Sequence, residues 1–386
     1  MLNLKVIGCG AAGNKAATEL IRAGFNKADV TLLNSTSKDI PDEYKDISMI
    51  FGSSADSLGG CGKEREIGKN YFLNDLKSGV INIDGIVEPT THAVIIVTSV
   101  EGGSGSGAAP ILAKYMKDVC NIPVILIPFF GFGTDVRGLQ NTIEFCQELE
   151  STYGVIFISN ERFLEECNNN RRKAEEAANA EFVKIVRTLS GVDIKPGKQN
   201  IDDTDLYKLV VTPGYTCVGT ANIKTIKNVE MFNKAINNAV DGAKVVDTTK
   251  TTKRIGCIFD IPDLIEDFVD FDTKVLAQRY GMPYEMYTHI QNTPTNNGGT
   301  VTWIAAGMDL PIQEIKEIFE QYKKNSANVS KKKDTFFGEV SGFAGNQDDS
   351  MFNMLSRPQR TAVGKDSFFG SYGRGKELVG SGSSKK

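Results

Sequence analysis

A glycine-rich segment between an apolar run and a helix-like run constrains this chain more than any other feature. Residues 102–110 have the sequence Gly-Gly-Ser-Gly-Ser-Gly-Ala-Ala-Pro, after the aliphatic run 93–97 and before the helix-like run 108–116. Glycine accepts positive φ angles and lets a backbone approach a ligand closely. The free N–H groups at the start of the next helix suit an anion, phosphate above all. The segment therefore predicts a phosphate-binding loop rather than a flexible linker.

A second glycine motif follows the first apolar run. Residues 8–13 have the pattern Gly-x-Gly-x-x-Gly, which by itself is typical of a dinucleotide site. Such a site requires an acidic residue at the end of the second strand, but that run ends in Asn34-Ser35-Thr36. No lysine follows the segment 102–107, so the Gly-x-x-x-x-Gly-Lys-Ser/Thr phosphate loop is excluded. An NAD-binding Rossmann enzyme is therefore a disfavoured alternative.

Apolar and amphipathic runs alternate over the amino-terminal part of the chain. Uninterrupted apolar strands between helices favour a parallel sheet covered on both faces, and ligands bind such sheets at the carboxyl ends of the strands. The predicted fold class is α/β, with a Rossmann-like parallel sheet. The strand-like runs are 4–7, 30–33, 93–97, 124–127 and 155–158, and the helix-like runs are 14–23, 64–77, 109–119 and 136–152.

A long helix over 171–190 is predicted to join this part to a second, smaller α/β domain. Ala178, Phe182, Ile185 and Leu189 recur at helical spacing, and Gly191 is a suitable terminator. The second pattern comprises a helix over 229–240, a strand over 254–261, a helix over 264–280, a strand over 300–306 and a helix over 311–322. The expected divisions are a first domain over 1–170, the central helix and following loop over 171–205, a second domain over 206–325, and a tail over 326–386.

The carboxyl-terminal end is predicted to be a flexible basic tail. Residues 331–386 carry ten Lys and Arg against six Asp and Glu, whereas the whole chain of 386 residues has a net charge of −4. Such a tail attracts DNA or an acidic partner, and a solubilising disordered end is the alternative. The pairs Phe336-Phe337 and Phe368-Phe369 favour short binding motifs.

Cysteine, histidine and hydropathy patterns predict a cytoplasmic protein. No apolar run approaches the ~20 residues of a membrane span, and the chain begins in a strand-like run without a secretory signal. The seven cysteines are scattered without a Cys-x-x-Cys motif, which indicates reduced thiols and no zinc site. His92 and His289 are the only histidines, and their separation disfavours a Ser-His or Cys-His catalytic pair.

The loops taken together resemble those of the tubulin/FtsZ GTPases. Residues 102–107 resemble the family signature GGGTGTG, with serines in the hydroxyl-bearing positions, and residues 8–14 resemble its first loop. Residues 58–62 resemble the loop near the γ-phosphate, and residues 156–162 resemble the family's Val-Ile-Pro-Asn-Asp-Arg strand end. The resemblance assigns to the nucleotide Gly10, Ala11, Ala12, Gly13, Asn14, Asn34, Gly59, Gly60, Gly102, Gly103, Ser104, Gly105, Ser106, Gly107, Pro128, Asp135, Arg137, Asn160 and Asn179.

The chain departs from the family pattern in three places. Asp135 stands in a loop that lacks the family's ribose-contacting Glu, Ala180 follows Asn179 where the family has Asp, and Glu176 replaces an aromatic ring. By resemblance, Asn179 reads the guanine edge and Asp135 substitutes for the missing Glu.

A polar segment after the long helix resembles the family's catalytic loop. Residues 196–206 correspond to Pro-Gly-x-Ile-Asn-Val-Asp-Phe-Ala-Asp-Val, and Asn200, Asp202 and Asp205 keep the spacing. The resemblance implies that these residues reach the γ-phosphate of a neighbouring subunit's nucleotide, where they can orient water and hold a hydrated cation. Alternatively, Asp202 or Asp203 simply caps a helix.

The resemblance, over about residues 4–325, implies GTP and GDP binding, with Mg²⁺ held through phosphates and water and no protein metal ligands. It also implies head-to-tail homopolymers that hydrolyse GTP at subunit interfaces. The basic tail resembles that of the plasmid and phage branch, TubZ, which implies DNA segregation through a DNA-binding adaptor on residues 331–386. A divergent cell-division FtsZ and a nucleotide-binding scaffold without turnover are the alternatives.

Overall fold

The structure is a computed structural model of the chain. It describes residues 1–52, 59–150, 152–223, 228–242, 250–261, 273–293 and 299–336. In these ranges no helix is long and apolar enough to cross a membrane. All seven cysteines lie in them as free thiols.

The described strands form one continuous sheet. They are β1 (Leu4–Cys9), β2 (Val30–Asn34), β3 (Ser48–Ile50), β4 (Ala93–Ser99), β5 (Val124–Phe130), β6 (Gly154–Val155), β7 (Ile158–Ser159), β8 (Gly214–Asn222), β9 (Arg254–Asp260), β10 (Glu285–Gln291) and β11 (Thr300–Met308). Their spatial order is β10-β9-β11-β8-β6-β5-β4-β1-β2-β3, and β7 pairs with β5.

The helices of the described ranges cover this sheet. They are α1 (Gly10–Arg22), α2 (Arg65–Ser78), α3 (Ser104–Asp118), α4 (Val136–Gln147), α5 (Arg171–Ser190), α6 (Asp203–Val210), α7 (Val229–Asp241), α8 (Lys274–Tyr280) and α9 (Ile312–Phe336). Short 3₁₀ turns fill several connections, including Asn160–Phe163.

The amino-terminal half is parallel and buried on both faces, as predicted. β1 pairs in parallel with β2 and β4, and β4 pairs in parallel with β5. Val6 is directly opposite Ile95 in this register, and both side chains are fully buried. Because neighbouring parallel strands all end at one edge, the loops after β1 and β4 meet there.

Helix α5 carries the chain from that carboxyl edge to the opposite edge of the sheet. Asn170 caps its start by accepting a hydrogen bond from Lys173 N, and Gly191 ends it in the left-handed conformation at φ 70°. Its 20 residues span about 30 Å. At its end, Ser190 O accepts from Leu2 N at 2.9 Å, which places the end of α5 beside the start of β1.

The predicted second domain shares the sheet of the first. β6 pairs in parallel with β8, so the hydrogen-bonded ladder passes from one half to the other. In the second half, β11 is antiparallel to both β8 and β9, and β10 is parallel to β9 at the sheet edge. A buried hydrogen bond of 2.8 Å from Trp303 Nε1 to Tyr280 OH joins β11 to α8.

Several element boundaries differ from the predictions. The single strand predicted over 155–158 is two short strands, β6 and β7, because the chain pairs with β5 on either side of an interruption. Strands β3, β8 and β10 were not predicted. The final helix continues past Tyr322 to Phe336, so the predicted tail boundary at residue 326 falls inside a helix. The rest of the tail, the start of the helix predicted over 264–280, and Leu58 lie outside the described residues.

Truncation of Phe182 tests the role of α5 in the core. Its ring is fully buried and meets Phe129 edge-on, with centroids 6.2 Å apart. We expect Phe182→Ala to lower the free energy of unfolding by about 3–5 kcal/mol, measured by urea denaturation. Lys184→Ala, on the exposed side of the same helix, should change it by less than about 0.5 kcal/mol. Equal effects would contradict the packing described here.

Candidate functional site

The two predicted glycine loops touch at the carboxyl edge of the sheet. Gly10 has φ +76°, and a Cβ atom there would lie 2.8 Å from Gly105 N. A Cβ atom at Gly105 would lie 2.5 Å from Cys9 O and 2.4 Å from Thr98 Oγ1. Both positions therefore require glycine, because any side chain would separate the loops.

Each loop opens a helix whose amino terminus has no side-chain cap. Neither Cys9 before α1 nor Gly103 before α3 accepts a capping hydrogen bond through its side chain, and neither first turn contains an acidic residue. Ala11 and Ala12 at the start of α1 are exposed. Since free N–H groups and the helix dipole favour an anion, the two adjoining helix ends form a cradle for phosphate. Ser106 Oγ bonds back to Gly102 O within the loop.

Asn14 adds a second observation at the first glycine loop. It follows Gly13, it is only 2% exposed, and neither Oδ1 nor Nδ2 has a hydrogen-bond partner. Leaving a buried polar group unpaired costs about 1–3 kcal/mol. An amide kept there at that cost suits the polar groups of a bound nucleotide.

The loop after β2 joins the same cluster. Ser35 Oγ lies 2.5 Å from Ser104 Oγ, and Ser35 O accepts a 3.3 Å hydrogen bond from Gly60 N. The predicted Asn34 is buried, with Oδ1 accepting from Ser35 N at 2.9 Å. Gly59 and Gly60, which follow β3, both have positive φ angles. The structure therefore brings together predicted residues from the four segments that follow β1, β2, β3 and β4.

The sequence did not indicate Asn141, whose side chain in α4 holds the backbone of two loops near the cradle. Its Nδ2 donates to Lys63 O at 3.0 Å, Glu101 O at 3.0 Å and Gly102 O at 3.1 Å. The side chain is 1% exposed. The sequence places an asparagine on the buried face of a predicted helix. It does not indicate which backbone carbonyls that amide would bind.

Glu101 was also missed, although it directly precedes the glycine run. Its side chain packs against two glycines: a Cβ atom at Gly131 would lie 2.1 Å from Oε2, and one at Gly138 would lie 3.3 Å from Glu101 Cβ. Gly133 N donates to Oε1 at 2.9 Å. Burial raises the pKa of the Glu101 carboxyl, although the Gly133 hydrogen bond opposes the shift. Glu101 thus ties the phosphate cradle to the loop after β5.

The predicted residues after β5 have structural partners. Asp135 caps α4 by accepting from Gly138 N, and its 2.6 Å hydrogen bond from Lys63 lowers the pKa of its carboxyl. Arg137 pairs with Glu64 at 2.9 Å. Pro128 is buried in β5 beside Thr98.

The remaining predicted residues flank α5. Asn160 begins the turn after β7, and Asn179 is buried within α5, only 6% exposed. The start of α5 is fixed to the loop after β5 by Arg171, whose guanidinium lies 5.3 Å from the Phe132 ring centroid. A salt bridge of 3.7 Å between Lys15 and Glu175 joins α1 to α5.

The predicted catalytic residues lie at the opposite edge of the sheet. Asp202 caps α6 by accepting from Asp205 N at 2.8 Å, so the capping alternative describes its local role. The Asn200 side chain exchanges two hydrogen bonds with the backbone of Gly197, at 2.9 and 3.1 Å. Asp203, beside them, pairs with the amino group of Met1, close to the start of β1 at Leu4. The six residues of β1, about 20 Å long, separate this edge from the glycine loops.

The described residues contain no group of three or more His, Cys, Asp or Glu side chains placed to hold a metal ion. Two of the described acidic side chains near the cradle already have partners: Glu101 accepts from Gly133 N, and Asp135 accepts from Lys63.

Comparison with known sequences matches the amino-terminal part of the chain to one family. Residues 3–168 match the Tubulin/FtsZ family, GTPase domain. The cell division protein FtsZ 1 of Halobacterium salinarum is 23% identical over 221 residues, 56% of this chain and 54% of that protein. FtsZ 1 of Methanocaldococcus jannaschii is 26% identical over 253 residues, 62% of this chain and 67% of that protein. The chain spans about half the length of the first of these relatives.

Solved structures with the same fold extend over most of the chain. TubZ of Clostridium botulinum phage c-st has a TM-score of 0.67 at 16% identity, covering 85% of this chain and 98% of that one. A GTPγS-form protofilament of Bacillus thuringiensis serovar israelensis TubZ has a TM-score of 0.69 at 18% identity, covering 86% and 94%. CetZ2 from Haloferax volcanii has a TM-score of 0.65 at 17% identity, covering 86% and 100%. The predicted resemblance is confirmed: residues 3–168 match the GTPase domain of the Tubulin/FtsZ family, and the described chain has the fold shared by FtsZ, TubZ and CetZ.

Proposed function

We propose that this protein hydrolyses GTP in head-to-tail filaments, with each active site completed by two subunits. The observation that carries the proposal is the separation of the glycine cradle from Asn200, Asp202 and Asp205 by the length of β1. Groups about 20 Å apart cannot act on one phosphate within a subunit. Stacking one subunit's carboxyl edge on the next subunit's amino edge brings them together.

The cradle supplies the nucleotide-binding half of the site. The amino termini of α1 and α3 hold the phosphates through backbone N–H groups, and the unpaired amide of Asn14 gains partners on the nucleotide. Asn179 selects guanine, while Asn34, Pro128, Asp135, Arg137 and Asn160 complete the pocket around ribose and base. Mg²⁺, held by phosphate oxygens and water, would offset the negative charge of the phosphates.

The opposite edge supplies the catalytic half. Asn200 and Asp202 are exposed and therefore accessible to a neighbouring subunit. A carboxylate has two oxygens and about four acceptor sites, so an Asp202 that caps α6 can still accept from water. Asp202 and Asp205 orient the attacking water and Asn200 holds it in line with the γ-phosphate, which leaves as inorganic phosphate with GDP as the other product.

A contact between unlike edges does not close on itself, so it generates a filament. The similar TubZ and CetZ2 structures are described as protofilaments, which supports this part of the proposal. The match to a GTPase family over 3–168 favours GTP over the NAD alternative.

The biological role that we favour is segregation or positioning of plasmid or phage DNA, through an adaptor that binds the basic tail. Fold similarity to a phage TubZ and the charge of residues 331–386 support it. The curated relatives are cell division proteins, so a role in cell division is the second candidate. A scaffold that binds nucleotide without turnover is the third.

Hydrolysis is expected to depend on assembly. With GTP and Mg²⁺, phosphate release per subunit should rise above a threshold protein concentration at which electron microscopy shows filaments. Asp202→Asn keeps a side chain that caps helices as well as Asp does but removes the charge, so the rate in filaments should fall on the order of 10²-fold. Asp203→Asn, at the neighbouring exposed position, is the matched control. A rate independent of concentration would refute the shared site. Full activity of Asp202→Asn in filaments would refute the catalytic role of Asp202, and filaments of the unsubstituted protein that release no phosphate would support the scaffold.

Substitutions of Asn14 and Asn141 together test the nucleotide-binding half of the site. Asn14→Leu removes a buried amide without partners, so the nucleotide-free protein should be equally or more stable, and GTP should no longer raise its melting temperature. Asn141→Leu removes three hydrogen bonds and should destabilise the protein by about 1–3 kcal/mol. Thermal unfolding with and without GTP measures both effects. Normal stabilisation of Asn14→Leu by GTP would place the nucleotide elsewhere.

Removal of residues 337–386 tests the role of the tail without cutting α9, which ends at Phe336. Filaments should form as before, whereas recruitment to a DNA-bound adaptor should be lost. Pull-down of adaptor–DNA complexes from host extract, compared with the full chain, measures the difference. Unchanged recruitment would count against segregation through the tail.

A further inference from the structure

The outer edge of β10 is covered by the loop that precedes α6. We call residues 193–202 the catalytic loop. Lys198 N donates to Ile290 O at 2.9 Å, and Ile290 N donates to Gln199 O at 2.9 Å, which forms an isolated antiparallel bridge. β10 lies at one end of the order of the described strands, so the loop pairs with the outer edge of that sheet.

The two residues that flank Ile290 hold the loop with their side chains. His289 is fully buried, and its Nδ1 lies 3.2 Å from Ile201 N. Because an amide N–H only donates, Nδ1 is the acceptor and the ring proton is on Nε2. Nε2 lies 2.9 Å from Lys195 O and 3.0 Å from Gln291 Oε1, so both ring nitrogens are satisfied.

Gln291 holds the beginning of the catalytic loop. Its Oε1 accepts from Lys195 N at 2.7 Å, and its Nε2 donates to Asp193 O at 3.1 Å and to Asp260 Oδ2 at 3.2 Å. The side chain is 5% exposed. His289 and Gln291 thus bind the loop backbone on both sides of Lys198 and Gln199.

The backbone of the catalytic loop lies so close to β10 that the middle of the loop is held in place. A Cβ atom at Gly197 would lie 1.9 Å from Ile290 O, so only glycine fits there. Gly197 in turn holds both polar atoms of the Asn200 side chain. Ile201, held by His289, lies directly between Asn200 and Asp202, so a shift at this amide moves both predicted catalytic side chains.

We propose that His289 and Gln291 are positioning residues for hydrolysis, which act by holding the catalytic loop in the pose that meets the next subunit's nucleotide. The proposal rests on the proposed function of that loop. It gives the second half of the sheet a defined part in the reaction: β10 supplies the rigid support for groups that the neighbouring subunit requires. Misplacement of a reacting group by about 1 Å can reduce a rate on the order of 10²-fold.

Three substitutions separate positioning from general stability. His289→Leu removes both ring contacts. His289→Asn keeps an acceptor oxygen near the position of Nδ1 and should restore the bond to Ile201 N. Tyr280→Phe removes a buried hydrogen bond of the same half, from Trp303, that involves no loop residue, and it is the control for destabilisation.

Each variant is assayed as the full chain for three quantities: GTP affinity below the assembly threshold, phosphate release per sedimented subunit, and hydrogen–deuterium exchange of peptides covering 193–202. We expect His289→Leu to bind GTP normally and to form filaments, but to release phosphate roughly 10- to 100-fold more slowly and to exchange faster in the loop. His289→Asn should recover most of the rate, and Tyr280→Phe should match the unsubstituted protein.

The proposal would be overturned if His289→Leu formed filaments with normal phosphate release and normal hydrogen–deuterium exchange in the loop. It would also be overturned if His289→Asn released phosphate as slowly as His289→Leu. If His289→Leu does not fold, Gln291→Met removes the bonds to Lys195 and Asp193 and tests the same prediction. If the unsubstituted protein shows no assembly-dependent hydrolysis, the proposed function fails, and loop exchange alone then tests whether His289 and Gln291 hold the loop.

Discussion

The parallel pairing of β1 with β4 is the constraint on which the site depends. It ends both strands at one edge and brings Gly10 against Gly105 so closely that neither can carry a Cβ atom. Two uncapped helices therefore begin side by side, and their N–H groups converge on one region. Two side chains join other segments to this contact: Ser35, in the loop after β2, contacts Ser104, and Asn141, in α4, donates to Glu101 O.

The length of α5 sets the second constraint. By crossing the sheet from one edge to the other, it delivers Asn200, Asp202 and Asp205 to the edge that the glycine loops do not occupy. In the proposed function these residues act only on the nucleotide of a neighbouring molecule, so the proposal makes assembly part of the chemistry. β10 holds the loop through His289 and Gln291, which links the second half of the sheet to the proposed reaction.

Most of the first half of the fold could be predicted, because each of its central strands is a short aliphatic run bounded by glycine or polar residues. The strands that were missed lack that pattern. β3 has three residues, β8 mixes glycine and threonine with apolar residues, and β10 has the sequence Glu-Met-Tyr-Thr-His-Ile-Gln. His289 and Gln291 are buried by a loop distant in sequence, so no local periodicity indicated that they face inward. Glu101 and Asn141 were missed from the site for the same reason.

The sequence by itself determined the α/β class, the two glycine loops and the long helix, because these depend on local properties: glycine torsions, aliphatic runs and helical spacing. Only the tertiary structure decided that the two predicted domains share one sheet, that the Asn14 amide is buried without a hydrogen-bond partner, and that His289, a residue without an assigned role, holds the catalytic loop. These features arise from contacts between segments tens of residues apart. Hydrogen bonds of that kind leave no periodic trace in either segment, so only the folded chain reveals them.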